Sequence, residues 1–143
     1  MLRIYDLETG RETPVPGSEG LWTCRWSPNG RYIAGLRIGL DRRQMMINIF
    51  DTTLGTWRAL SNAHHVNEPS WSHDPRFIYY DTGGEEPAAL RRVRIEDGMV
   101  EELTTLAGLP LAYHGSGLSP DDESLLLSNA GSSRMHALKL GSR

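Results

Sequence analysis

The sequence predicts an all-β chain built from repeated four-stranded antiparallel units, and three observations predict it. One phrase occurs three times: Arg25-Trp26-Ser27-Pro28-Asn29-Gly30-Arg31-Tyr32-Ile33, then Ser70-Trp71-Ser72-His73-Asp74-Pro75-Arg76-Phe77-Ile78, then a divergent Gly117-Leu118-Ser119-Pro120-Asp121-Asp122-Glu123-Ser124-Leu125. Trp26 and Trp71 lie 45 residues apart, Trp71 and Leu118 47, and such a period marks a repeat architecture. A second element, Glu8-Thr9-Gly10, returns at a similar period as Thr53-Leu54-Gly55 and Glu96-Asp97-Gly98. Helical periodicity of apolar residues is absent, while short apolar runs alternate with Gly, Pro, Asn and Asp.

Each unit reads in the same order. A first strand ends at Trp26, Trp71 or Leu118. A tight turn follows, in which Pro28 presets the first corner and Gly30 is free to take positive φ. The middle copy carries Pro75 where the first carries Gly30, and the last carries Asp122. Proline cannot take positive φ, so the middle turn is expected to differ in type or to shift register. The second strands are Tyr32 to Leu36, Phe77 to Tyr80 and Leu125 to Leu127. The third strands, Met45 to Phe50, Leu90 to Ile95 and Met135 to Leu140, follow variable loops. The repeated glycine turn then leads to fourth strands Glu12 to Val15, Trp57 to Leu60 and Val100 to Leu103.

Thirteen strands phased two, four, four and three, in units of this length, are the blades of a β-propeller, about three per chain. The expected division is one partial propeller over 1–143: strands three and four of a blade at 2–16, a blade at 17–60, a blade at 61–106 and an incomplete blade at 107–140. Gly141-Ser142-Arg143 reads as a tag remnant. The Trp closing each inner strand is expected to plug the space between neighbouring blades.

Composition excludes several functions. The 143 residues carry a formal net charge of −3, and the arginines are scattered among acids, which argues against nucleic acid as a partner. The single cysteine, Cys24, forbids an internal disulfide and reads as a small strand hydrophobe. No run of 18 apolar residues suggests a membrane span, and cytoplasm and periplasm both fit. No metal or cofactor is expected: His64 and His65 are adjacent and point opposite ways in extended chain, and no spacing matches a zinc site. His114-Gly115-Ser116-Gly117 lies on a strand, not on the strand-to-helix elbow of a hydrolase nucleophile. No catalytic residue is assigned, and the chain is expected not to be an enzyme.

The phrase Trp26-Ser27-Pro28-Asn29-Gly30-Arg31-Tyr32-Ile33-Ala34 resembles the core W-S-P-D-G-x-x-I-A-F of the TolB-like, WD40-like (PD40) propeller repeat. Ile4-Tyr5-Asp6-Leu7-Glu8-Thr9-Gly10 and Ile49-Phe50-Asp51-Thr52-Thr53-Leu54-Gly55 look like its follow-on element. The resemblance covers nearly the whole chain. More narrowly, Gly117 to Asp122 and Leu125 to Leu138 are similar to the last blade of bacterial winged-helix–TolB-type regulators. No winged helix is present, so DNA binding does not carry over; a sensing or protein-docking propeller is implied.

Three blades cannot close a ring, and propellers run from four to eight. Open edges near Ile4 and Leu138 invite pairing with another chain. The expected partner is a second copy, giving a homodimeric six-bladed ring in which Glu12 to Val15 completes the partner's last blade. Strand three is then supplied twice, by Ile4-Tyr5 and by Met135 to Leu140.

Aligning the repeats places Trp22, Asn67 and His114 in equivalent positions, followed by Thr23, Glu68 and Gly115. In a propeller these sit at the channel mouth. The loops between second and third strands add Arg37, Asp41, Arg42, Arg43, Glu85, Glu86, Ser132, Ser133 and Arg134, with His64 in the loop before the second blade's first strand. The expected ligand site is therefore Trp22, Thr23, Arg37, Arg42, Arg43, His64, Asn67, Glu68 and His114, recognising a peptide, protein or small molecule. The same loops also read as ordinary solvated surface. The alternative function is a propeller accessory domain of a prolyl-oligopeptidase-type hydrolase, or the sensor domain of a regulator.

Overall fold

The computed structural model of the chain describes residues 1–39, 45–61, 66–82, 87–107, 113–129 and 135–140. All regular structure among them is β. Strands β1 (Arg3–Tyr5) and β2 (Glu12–Pro14) pair as a hairpin. The first full sheet is a meander of β3 (Leu21–Trp26), β4 (Tyr32–Ile38), β5 (Met45–Asp51) and β6 (Thr56–Ser61). The second repeats it with β7 (Asn67–Trp71), β8 (Phe77–Asp81), β9 (Ala89–Arg94) and β10 (Val100–Thr105). The third holds β11 (Tyr113–Leu118), β12 (Ser124–Asn129) and β13 (Met135–Lys139). Every pairing is antiparallel.

The turn joining first and second strands is built the same way three times, and its serine is the key. Ser27 donates its N–H to the Tyr32 carbonyl (2.8 Å), and its hydroxyl accepts from Tyr32 N–H (2.8 Å). Ser72 makes the same pair of bonds with Phe77 (3.0 and 3.0 Å), and Ser119 with Ser124 (2.8 and 2.9 Å). Within this clamp, Gly30 (φ +70°) and Asp122 (φ +58°) donate back to Ser27 and Ser119. The middle turn departs from both: Pro75 is barred from positive φ, and Arg76 N–H bonds to the Asp74 carbonyl (2.7 Å) as well as to its carboxylate (3.0 Å), the side-chain bond being the one that Arg31 makes to Asn29 and Glu123 to Asp121. The Asp122 carboxylate also accepts the His73 backbone N–H at 3.0 and 2.8 Å, stitching the third turn to the second.

The sheets stack face to face. Between the first and second lie Ala34, Leu36, Ile47, Ile49, Leu60 and Val66 against Ile78, Tyr80, Val93 and Ile95. Leu90 and Leu106 meet Leu125 and Leu127 between the second and third. Val15, Leu2 and Ile4 of the hairpin region cover Ile33, Phe50 and Trp57 of the first. The two inner-strand tryptophans differ. Trp71 fills the expected space: its ring stacks on Tyr32 (centroids 6.3 Å apart, 14° between planes), and its indole N–H donates to the Arg25 carbonyl (3.1 Å). Trp26 is 49 % exposed. The reason lies in its neighbour, because Trp71 meets the β3–β4 pair of a full sheet, whereas Trp26 meets a hairpin of two short strands.

Candidate functional site

The innermost strands β3, β7 and β11 lie side by side, β7 contacting both others, and form the wall that faces the axis in a propeller. Each is bulged at the same place. Trp22 pairs with Leu36 and Arg25 with Ala34, so Thr23 and Cys24 together oppose Gly35. Asn67 pairs with Asp81 and Ser70 with Tyr79, so Glu68 and Pro69 oppose Tyr80. Gly115 pairs with Leu127 and Gly117 with Leu126, leaving Ser116 as the extra residue. A bulge bends its strand, leaves a residue out of the ladder and re-aims side chains.

The residues explain the bulge locally. Pro69 has no N–H to give to a ladder, and a bulge is where a sheet tolerates that. Gly35 leaves room for the Cys24 side chain, since a Cβ on it would come 2.9 Å from Sγ. Thr23 holds φ +49°, a strained conformation for a β-branched residue, and its Oγ1 is buried with no hydrogen-bond partner.

The register places Trp22, Asn67 and His114 at equivalent points, paired with Leu36, Asp81 and Ser128 respectively. Trp22 is 46 % exposed on this wall. Asn67 Nδ2 donates to Oδ1 of the buried Asp81 (2.8 Å), which holds its amide in place. Glu68 is exposed, with a carboxylate oxygen 3.8 Å from the Arg25 guanidinium. Burial pushes the Cys24 thiol up, keeping it in the poorly nucleophilic form. Arg37 is not turned toward these residues: its guanidinium donates to the Gly17 carbonyl (2.8 Å) and ties β4 to the loop before β3. Arg42, Arg43 and His64, with Asp41, Glu85, Glu86, Ser132, Ser133 and Arg134, lie outside the described residues. Among the described residues, no group of three or more His, Cys, Asp or Glu is placed to hold a metal ion.

Sequence reasoning missed a second feature. Leu2, Arg3, Ile4 and Tyr5 of the hairpin, with Cys24, Arg25, Trp26 and Ile33 of the first sheet, line a groove of about 140 Å³. Trp26 is its exposed wall. The signal for it was present, because only two strands precede the first tryptophan of the repeat.

No family model matches the chain, and no curated protein sequence matches it. Solved structures do. TolB from Acinetobacter baumannii is similar at TM-score 0.74 and 17 % identity, over 97 % of this chain and 35 % of that one. The β-propeller domain of the Trilobed protease from Pyrococcus furiosus is similar at 0.65 and 19 %, over 87 % and 38 %. The acylaminoacyl peptidase of Pyrococcus horikoshii is similar at 0.69 and 16 %, over 98 % and 26 %. The chain therefore spans well under half the length of these proteins. The likeness is one of fold: with its stacked four-stranded meanders, repeated turns and bulged inner strands, this chain has the fold of TolB-like β-propeller blades.

Proposed function

We propose that the chain is a non-catalytic propeller scaffold that binds a peptide or small molecule on the wall of its bulged innermost strands. The observation that carries this reading is the bulge itself, repeated at one register in β3, β7 and β11 and strained at Thr23. Strain of this kind clusters at ligand clamps. Around it stand an exposed aromatic face (Trp22), a fixed amide (Asn67) and a carboxylate (Glu68), groups suited to stacking and hydrogen bonding rather than to bond breaking. A fragment and short-peptide screen read by indole and amide NMR shifts tests it. Binders are expected to move the Trp22 indole and the Glu68 and Asn67 amides, and Trp22→Ala with Glu68→Ala is expected to remove binding while the circular dichroism stays β-type. Binders that leave all three signals unmoved, or turnover of peptide substrates by the chain alone, would defeat the reading.

The similarity to peptidase propellers favours a second reading, an accessory blade set that admits peptides to a hydrolase. A coding frame that runs on past Leu140 into an α/β-hydrolase pattern would select it.

A further inference from the structure

We propose that the ligand of this wall is a free α-amino acid with an aromatic side chain, its ammonium on Glu68, its carboxylate on Arg25 and its ring on Trp22. The assignment deepens the binding role proposed above and rests on it. The bulge in β3 brings two of the three groups together. Residues three apart in a regular strand face opposite sides. Trp22 and Arg25 are three apart, yet they pair with Leu36 and Ala34, which both lie in the apolar layer between the first and second sheets. The indole and the guanidinium therefore project from the same side of β3, the side of β7. From β7 comes Glu68, a carboxylate oxygen of which stands 3.8 Å from the Arg25 guanidinium.

That pair is looser than its counterparts. Arg3–Glu12, Arg31–Asp51, Arg92–Glu101 and Arg94–Asp97 close to 2.9, 3.0, 2.7 and 2.7 Å, which is hydrogen-bond distance. Arg25 and Glu68 stay beyond it, with their side chains 57 % and 48 % exposed. The Glu68 carboxylate accepts no hydrogen bond from another described residue. One guanidinium N–H of Arg25 goes to the Cys24 carbonyl (3.2 Å). Trp22 is open in the same way. Trp57 and Trp71 donate their indole N–H groups to the Pro16 and Arg25 carbonyls (2.7 and 3.1 Å), whereas the Trp22 indole has no such acceptor among the described residues. The backbone beneath these open groups is fixed. The Arg25 carbonyl is held by the Trp71 indole, and Glu68 precedes the buried Pro69, which restricts the residue before it.

The chemistry of the ligand follows from two opposite charges held side by side. A lone cation drawn to Glu68 is repelled by Arg25, and a lone anion the reverse. An α-amino acid carries its ammonium and carboxylate on one carbon, so each of its charges meets an opposite one. The guanidinium fork suits the carboxylate, and the exposed indole suits an aromatic ring. Exposed ion pairs contribute little to stability, so a ligand that parts this one displaces little.

NMR titrations test the assignment, reading the Trp22 indole, the Arg25 side-chain N–H and the Glu68 amide. The probes are L-phenylalanine, N-acetyl-L-phenylalanine without the ammonium, L-phenylalaninamide without the carboxylate, and glycine without the ring. Phenylalanine is expected to move all three signals, and each of the others to bind about tenfold more weakly. In Glu68→Gln the N-acetyl compound is expected to overtake phenylalanine, and in Arg25→Gln the amide, an exchange of rank that loss of folding cannot produce. A probe lacking one of the three groups that binds the native chain as tightly as phenylalanine would overturn the proposal. So would phenylalanine leaving the signals unmoved while peptides or other fragments shift the Trp22 indole, in which case the binding wall itself stands. If no compound of any class moves that indole, both readings fall.

Discussion

Thr23 concentrates what is unusual at the level of single residues. The left-handed conformation costs a side chain with a Cβ about 1–2 kcal/mol, and a β-branched one is among the least suited to it. Its φ of +49° is held by the bulge, and its buried hydroxyl is left without a partner. Thr23→Gly is therefore expected to stabilise the fold by about 1 kcal/mol in urea denaturation, against the usual trend of substitutions in a strand. If the wall binds as proposed, the same variant gains stability and loses affinity. Charge behaves more simply at Asp97. Its carboxylate is held at a pKa of about 2, first by the Arg94 guanidinium (2.7 Å) and then by the Met99 N–H (3.0 Å). The folded value lies below the unfolded one, so the stabilisation is complete above pH ~4 and is lost as pH falls toward 2. Arg94→Gln is expected to return the Asp97 titration, followed by carboxyl NMR shifts, toward the ordinary aspartate range.

At the level of the hairpin, turn chemistry decides which substitutions are tolerated. Gly55 and Gly98 hold nearly the same φ, +68° and +73°, in equivalent outer turns. An added Cβ at Gly55 meets open space, whereas at Gly98 it comes 3.0 Å from the Leu60 carbonyl of the neighbouring sheet. Gly55→Ala is expected to cost about 1 kcal/mol of backbone strain, and Gly98→Ala measurably more, by comparing urea midpoints of the two variants. These turns were legible in the sequence because their chemistry is local: a serine five residues ahead of a strand, and a glycine whose N–H returns to the carbonyl four residues back, at Asp51 for Gly55 and at Arg94 for Gly98. The bulge was not. Trp22 and Trp26, four apart, belong on the same face of a regular strand. They pair instead with Leu36 and Ile33, three apart on β4, and so point to opposite faces. Only the inserted residue at Thr23-Cys24 explains that, and alternation alone cannot show an insertion that the neighbouring strand does not share. The exposure of Trp26 was hidden for another reason. Whether an aromatic is a plug depends on the sheet opposite, which the phrase containing it does not describe.

Over the whole molecule, each buried apolar cluster among the described residues joins one sheet to its immediate neighbour, so stability is close to a sum of sheet and interface contributions. Among the described residues, four polar or aromatic links cross from the first sheet to the second: the Trp71 ring on Tyr32, its indole N–H to Arg25, the Arg58 guanidinium on the Ile95 carbonyl, and the Glu68 carboxylate 3.8 Å from the Arg25 guanidinium. Trp71 makes two of them. Trp71→Ala is expected to cost about 3–5 kcal/mol, as for other large aromatic truncations at packed sites. In a repeat chain that loss falls on one interface and leaves the others intact. It is therefore expected to divide a single unfolding transition into two, the segment through β6 separating from β7 onward. Calorimetry, with hydrogen exchange of Ile47 and Ile49 compared with that of Leu125 and Leu127, reads this directly. Two transitions mean that the sheets are held in series. One transition at a lower midpoint means that the apolar layer of Ala34, Leu36, Ile78 and Val93 couples them without the ring, and the one-dimensional account of this fold gives way to a cooperative one.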